Sequence, residues 1–295
     1  MSVTEQWLRG SKIAVSAMLV LAASSAGAQQ IFFDDFESGG ISHTENGVKW
    51  TSPAGTSVFN GFGKSGSRSL RFTFAAGDDS MAEQRFSLGK IYPELFIEWS
   101  VYYPSGLEGN LGPKFVHAGS REGNNNKFLR LWKGDPSDGV NGYGRFSVKL
   151  GASTDVGGLV SGDEQIFGEY GTNGGGMGPG GPTGSGVEAG RNRNFLTNEF
   201  RGRWLNIKVH AKAATAANND GVLEIWRDGA LLFSVKNLPL YPTGGVGNGF
   251  DYGYILGWAN SGFAQTSYAY IDDVRISTSS SSVKTPMPPI GVSAE

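Results

Sequence analysis

The chain has 295 residues, a net charge of −2 and no cysteine. That excludes disulfide staples, thiol catalysis and cysteine-ligated metals, and it denies the surface the positive field that nucleic acid or an anionic membrane would require. Glycine at 46 residues and aromatics at 12% suit an all-β chain with many turns and with rings able to stack on sugars.

Residues 1–28 read as a secretory signal peptide. Arg9 and Lys12 precede an apolar run over 13–22, and Ala26-Gly27-Ala28 follows as a small-residue cleavage site. The run is too short to span a membrane. The expected mature chain begins at Gln29 and is secreted or periplasmic. Residues 29–277 are expected to form one domain, and the Ser- and Pro-rich residues 278–295 a disordered tail.

A first strand at 31–36 runs into an acidic turn containing Asp34, Asp35 and Glu37. The last strand, 268–277, carries Asp272 and Asp273. Pairing would bring Asp35, Glu37, Asp272 and Asp273 together. Either a structural Ca²⁺ sits among these carboxylates, or they cap turns and face water. Residues 57–63 read as a loop, and 67–74 and 82–88 as strands. Residues 94–103 (ELFIEWSVYY) alternate clearly, with Leu95, Ile97, Trp99 and Val101 on one face and Phe96, Glu98, Ser100 and Tyr102 on the other.

Residues 113–118 predict a short strand bearing Lys114 and His117. Residues 127–133 predict another, with Phe128, Arg130 and Trp132 on one side and Leu129 and Leu131 on the other. Residues 142–150 follow with Tyr143, then Arg145, Ser147 and Lys149 opposite Phe146, Val148 and Leu150. The Gly-rich stretch 171–190 cannot form a regular element. With Arg191 and Arg193 beside it, it is either a lid over an anionic chain or a plain insertion.

Residues 201–229 then read as successive antiparallel strands. Trp204, Asn206, Lys208, His210 and Lys212 alternate with Leu205, Ile207, Val209 and Ala211. Asn218-Asn219-Asp220-Gly221 and Asp228-Gly229 supply the turns. Residues 252–258 predict a further strand, with Tyr252, Tyr254 and Trp258 set apart from Ile255. No repeat and no amphipathic helix is evident. About a dozen short strands separated by turns predict two stacked antiparallel sheets.

There is no G-x-S-x-G elbow, P-loop or H-E-x-x-H motif. Glycoside hydrolysis needs two carboxyl groups about 5 Å apart in its retaining form, and no pair in the sequence enforces that. Elimination at a uronic acid asks for other groups. A cation must neutralise the carboxylate beside the acidic C–H, a base must take the proton, and an acid must protonate the leaving oxygen. Lys114, Arg130, His117 and Tyr143 are of those types. Glu98, Tyr102, Trp132, Arg145, Arg191, Arg193, His210, Tyr254 and Trp258 are candidates to bind the polymer. Each has a structural alternative: histidines hydrogen-bonded at a rim, a lysine guarding a sheet edge, aromatics belonging to the core.

The polar-faced strand opened by Trp204, the Asn219-Asp220-Gly221 turn and the strand ending in Trp226-Arg227-Asp228-Gly229 together resemble the concanavalin-A-like jelly rolls of secreted polysaccharide lyases. The groups resembled are the heparin-lyase-like and the alginate and glucuronan lyases, over residues 31–277. The resemblance implies a two-sheet antiparallel jelly-roll sandwich whose first and last strands pair, β-elimination on an anionic polysaccharide, no required cofactor and a monomer. In the jelly-roll alginate lyases a strand Lys, a strand Arg and a strand Tyr follow in order, as Lys114, Arg130 and Tyr143 do. Those enzymes have Tyr-x-Tyr where this chain has Tyr143-Gly144-Arg145. A non-catalytic sugar-binding module and a glycoside hydrolase are the alternatives.

Overall fold

The computed structural model describes residues 29–77, 80–116, 125–133, 143–152, 164–170, 187–215, 220–238, 249–259 and 262–278, and within some strands the backbone alone. The expected signal peptide, residues 171–186 of the Gly-rich stretch and all of the expected tail but Thr278 lie outside these residues. Among the described residues the regular structure is strand, with two short 3-10 turns at Gly109–Leu111 and Asn198–Phe200.

The strands in chain order begin with β1 (Gln30–Asp34), β2 (Thr44–Glu45), β3 (Val48–Ala54), β4 (Thr56–Asn60), β5 (Arg68–Phe74) and β6 (Ser80–Met81). Next come β7 (Glu83–Tyr92), β8 (Glu94–Tyr102), β9 (Asn125–Lys133), β10 (Tyr143–Ala152), β11 (Glu164–Tyr170) and β12 (Val187–Leu196). The last are β13 (Trp204–Lys212), β14 (Gly221–Arg227), β15 (Ala230–Leu238), β16 (Phe250–Ile255), β17 (Trp258–Ala259) and β18 (Ser267–Ser277).

They form two antiparallel sheets. The smaller has eight strands in the order β15-β14-β13-β8-β18-β5-β4, with β1 also on β18. The larger has ten, in the order β12-β11-β10-β9-β16-β7-β3-β2, with β17 and β6 at its side. This is the expected two-sheet jelly-roll sandwich. The first and last strands pair as expected, Phe33 opposite Arg275 and Asp34 opposite Val274. So does the meander. Asp228 and Gly229 both take positive φ, 51° and 81°, and join β14 to β15 as a two-residue hairpin.

The core lies between the sheets. Leu95, Ile97, Trp99 and Val101 of β8 and Leu205, Ile207 and Val209 of β13 are fully buried on one side. Phe86 and Leu88 of β7, Leu129 and Leu131 of β9 and Ile255 of β16 face them. Trp99 reaches across to Phe128, ring centres 5.0 Å apart. Each such ring contributes on the order of 2–3 kcal/mol when fully buried.

Four sequence expectations give way. Residues 56–60 are strand β4 because they pair along β5, from Thr56 opposite Phe72 to Asn60 opposite Arg68. Pro113–Val116, taken as strand, runs irregularly after the Gly109–Leu111 turn. Residues 187–190 of the Gly-rich stretch belong to β12. Phe128 joins the core with Leu129, because the β9–β10 register shifts between Val148 opposite Leu129 and Lys149 opposite Lys127. Such a bulge turns two consecutive side chains to one face.

The acidic end of the sandwich is held by hydrogen bonds from the loop before β5. The carboxylate of Asp272, fully buried, accepts from the backbone N–H of Lys64 at 2.7 Å and of Asp273 at 2.8 Å. Asp273 accepts from the Ser65 hydroxyl and lies 3.5 Å from the Lys64 ammonium, which also donates to Ser100 at 2.8 Å. Glu37 accepts from the Arg68 N–H at 2.6 Å, and Asp35 from the Glu37 N–H at 3.1 Å. The four expected Ca²⁺ ligands are thus divided among separate protein donors. Among the described residues no group of three or more His, Cys, Asp or Glu is placed to hold a metal ion.

The outer face of the smaller sheet is equally occupied. His210 of β13 lies flat on Phe96 at 4.2 Å, its Nε2 2.7 Å from Glu94 and its Nδ1 2.8 Å from Glu224. One ring therefore ties β8, β13 and β14 together. His210→Ala is expected to lower stability by about 1–3 kcal/mol by leaving two carboxylates without their partner, read as a lower urea midpoint.

Burial pushes the Asp272 carboxyl up to about 6 from 3.8, against the pull of its N–H donors. The fold therefore prefers the neutral acid. Its stabilising contribution is complete below the unfolded value and is lost as pH rises through about 6. Relative to Asp272→Asn, which does not titrate there, the native chain is expected to gain stability as pH falls from above 6 to below 3.8, measured by urea midpoints at matched pH.

Candidate functional site

The candidate site is on the outer face of the larger sheet. Residues opposite the core along β7, β16 and β9 meet there in register. Arg85 pairs with Tyr254, and Tyr254 with Arg130. The row continues to Thr51 on β3 and to Ser147, Glu169 and Glu188 on β10, β11 and β12. A second row runs Lys49, Ser87, Tyr252, Trp132. Period-two alternation explains why the same strands show Phe86, Ile255, Leu129 and Leu131 to the core.

Arg130 is only 7% exposed, Tyr254 6% and Trp132 5%. A guanidinium this far from water needs partners. It donates to the Tyr254 hydroxyl, and its charge lies 6.0 Å from the centre of the Trp132 ring. Trp132 in turn meets Tyr254 edge-on at 5.6 Å and stacks on Tyr252 at 6.3 Å. Burial pushes the Tyr254 phenol up from its ordinary value, and the Arg130 charge and hydrogen bond pull the other way. The phenol therefore keeps its proton at neutral pH. Gly253 makes the close packing beneath it possible: a Cβ there would lie 2.3 Å from the Phe86 ring and 2.8 Å from the Arg130 carbonyl.

Beside Tyr254 on β7, Arg85 donates through Nε to the carboxylate of Glu83. The Glu83 side chain is 5% exposed and that of Arg85 is 31%. Sequence reading passed over both residues. The signal was there in Glu83-x-Arg85-x-Ser87, polar at every second position against Phe86 and Leu88. Among the described side chains the patch thus holds two guanidiniums, one buried carboxylate, a protonated phenol and an indole. That set can bind an anionic group and give a proton to an oxygen.

The other expected site residues fall in several places. Lys114 follows the Gly109–Leu111 turn, off both sheets, and donates to Asn198 at 2.7 Å. Glu98, Tyr102 and His210 stand on the smaller sheet, facing away from the core. They cannot share a trough with Arg130, Trp132 and Tyr254, because the apolar interior separates the two outer faces. Each has a local role there. Glu98 lies 3.7 Å from Lys208. Tyr102 donates to Glu108 at 3.0 Å, and its ring packs with Phe62, Trp204 and Tyr270. Burial and that bond raise the Tyr102 phenol. Glu108, despite its burial, is drawn down to about 2 by the hydroxyl and N–H of Ser105.

Tyr143 and Arg145 lie on β10, with Tyr143 paired to Lys133 next to the site strand, and Arg191 and Arg193 lie on β12. Trp258 opens β17 opposite Met81. The side chains of these five are outside the described residues, and His117 is outside them altogether.

No family model and no curated protein matches the sequence. Solved structures do match in shape. An endo-β-1,4-glucuronan lyase from the fungus Trichoderma reesei superposes with a TM-score of 0.53 at 15% identity, over 85% of this chain and 96% of that one. The alginate lyase vAL-1 from a Chlorella virus gives 0.51 at 12% identity, over 79% and 93%. A structure described with the endo-acting O-glycanases of the human gut microbiota gives 0.50 at 15%, over 85% and 100%. The chain has the jelly-roll fold of polysaccharide lyases, and that fold also serves a protein of a different description.

Proposed function

We propose that this protein is a secreted lyase that cleaves a uronic-acid-containing polysaccharide by β-elimination. The observation behind the reading is the buried Arg130–Tyr254 pair, set on the outer face of a sheet whose fold is that of glucuronan and alginate lyases. Arg130 neutralises the sugar carboxylate, which makes the neighbouring C–H acidic. Tyr254, holding its proton, gives it to the departing glycosidic oxygen. Trp132 offers a ring to a sugar face. Tyr143, on the strand beside Arg130, and His117 are the proposed candidates for the base. Positive charge at the reacting carboxylate comes from a side chain, so the step requires no cofactor. The partner is an anionic polysaccharide met outside the cytoplasm, and the working unit is a monomer.

Hydrolysis would need two carboxyl groups facing one bond, and among the described side chains of this patch the carboxylate, Glu83, is committed to Arg85.

Incubation with alginate, glucuronan, ulvan and glycosaminoglycans is expected to yield unsaturated ends that absorb in the ultraviolet with at least one of them. New reducing ends without that absorbance identify a hydrolase instead. Retention on a polysaccharide gel with neither product identifies a binding module.

Tyr254→Phe removes one oxygen and keeps the ring. It is expected to lower kcat by roughly 10²-fold or more with little change in KM. Arg130→Ala is expected to lower kcat/KM by roughly 10²-fold or more. Both are to be read against circular dichroism. Loss of the folded signal in Arg130→Ala makes that arginine structural.

A further inference from the structure

We infer that the outer face of the smaller sheet carries a second, non-catalytic sugar site, in which Arg71 takes the carboxylate or sulfate of an acidic oligosaccharide lying across the strands. The inference goes beyond the elimination reading and does not rest on it, because the apolar interior separates this face from Arg130 and Tyr254.

The register lays out the surface. Trp204 of β13, Tyr102 of β8, Tyr270 of β18, Arg71 of β5 and Ser57 of β4 lie opposite one another in a row that faces away from the core. Tyr102 and Tyr270 form its floor. Both are buried, and the Tyr270 hydroxyl donates to the Leu111 carbonyl at 3.1 Å. Phe62, from the loop after β4, lies over both rings and stacks on Trp204 at 5.2 Å. Phe62, Trp204, Phe59 and Tyr268 are each half-buried, so their rings still show a surface to water. From Trp204 to Arg71 the row covers three strand spacings, on the order of 14 Å. That is the length of a short oligosaccharide rather than of a single ion.

Arg71 supplies the charge. A surface arginine ordinarily keeps its head in water. This one sits between two rings on the flanking strands, its guanidinium carbon 5.0 Å from the centre of Phe59 and 5.1 Å from that of Tyr268. Tyr268 is held in turn by Gly112, where a Cβ would lie 2.3 Å from its ring. The Arg71 Nε is shut off from water and has no hydrogen-bond partner. Among the described residues no carboxylate pairs with the guanidinium and no group accepts its N–H bonds. Arg68, earlier on the same strand, shows the contrast: it donates to Asn60 and to the Glu37 carbonyl. A donor withdrawn from water and left open costs stability that an arriving acceptor restores. The two rings fix the guanidinium plane, and its terminal amino groups form the fork that matches a carboxylate or sulfate. Ser57 opposite it, and Thr73 next on the same face, offer hydroxyls to those of a sugar.

Mobility in gels containing glucuronan, in gels containing a neutral glucan and in polymer-free gels tests this, with Tyr254→Phe as the parent chain so that the polymer is little consumed. Mobility is read relative to the polymer-free gel, which removes the effect of a changed net charge. Adding Arg71→Gln is expected to raise the apparent Kd for glucuronan roughly tenfold and to leave relative mobility in the glucan unchanged. Ser57→Glu puts a carboxylate opposite Arg71 without disturbing the packed rings. It is expected to do the same, and it serves if the glutamine variant does not fold. The retardation that depends on Arg71 is expected to be displaced by a glucuronate oligosaccharide and not by sulfate ion at equal ionic strength. Unchanged retardation in a folded variant, an equal loss in the neutral gel, or equal displacement by sulfate ion overturns the inference. So does a native dimer in sedimentation that Ser57→Glu splits, which makes this face a contact between copies. Formation of unsaturated ends by the native chain is scored separately, and its failure sinks the elimination reading while leaving this comparison intact.

Discussion

Side chains of a β-strand alternate between two faces, and in a sandwich of two sheets only one face of each sheet meets the core. The rest of this molecule depends on that separation. The inner faces are nearly all apolar, and Trp99 and Phe128 join them across the middle. Polar residues of the same strands are forced outward, onto two surfaces about 10 Å of packed interior apart. Whatever the protein binds on one of these surfaces, residues on the other do not touch it. His210, Glu98 and Tyr102 therefore answer to Glu94, Glu224, Lys208 and Glu108. Arg130, Tyr254, Arg85 and Glu83 form a group of their own.

That second group costs the fold something. Guanidinium and carboxylate groups taken from water lose hydration that a single contact rarely restores. Arg130 meets this with a phenol and an indole face, and Glu83 with Arg85. A core of leucine or phenylalanine on this face would be simpler to keep stable. Among the described side chains, two cations with one anion leave a local excess of positive charge, in surroundings where Trp132 and the sheet lower the effective dielectric. An acidic ligand entering such a site completes the charge balance. The same charges in bulk water would hold it weakly.

Local periodicity made much of this legible in the sequence. The alternation of β8 and β13 and the Asp228-Gly229 hairpin were readable from residues close in the chain, while the pairing of first and last strands followed from the jelly-roll resemblance. What was not readable was which sheet a strand joins. Alternation tells that Glu98 and Arg130 both face away from the core, but not that they face away on opposite sides. That is decided by pairings such as β8 with β18 and β9 with β16, between segments more than a hundred residues apart. The β9 bulge was hidden for a related reason. Period two puts Phe128 with Arg130 and Leu129 with Leu131, and only the neighbouring strand shows one residue inserted. The acidic end was partly legible in a different way. Four carboxylates near in sequence or in pairing look like a cation site, but the sequence does not show that the backbone N–H groups of Lys64 and Ser65 reach one of them, Asp272.

Fold alone does not choose a reaction, because one sandwich can present different side chains on the same face. The choice rests on what elimination and hydrolysis each demand. Hydrolysis asks for two carboxyl groups facing one bond, one of them free to ionise and the other to donate. Elimination asks for a cation at the acid group and a proton donor at the leaving oxygen. On the row through β7, β16 and β9, the described carboxylate is locked to an arginine, while a second arginine and a protonated phenol stand side by side. Burial makes Tyr254 a better keeper of its proton and so a poorer base at neutral pH. In the proposed elimination it is therefore fitted to the acid half, and the base would come from a neighbouring element.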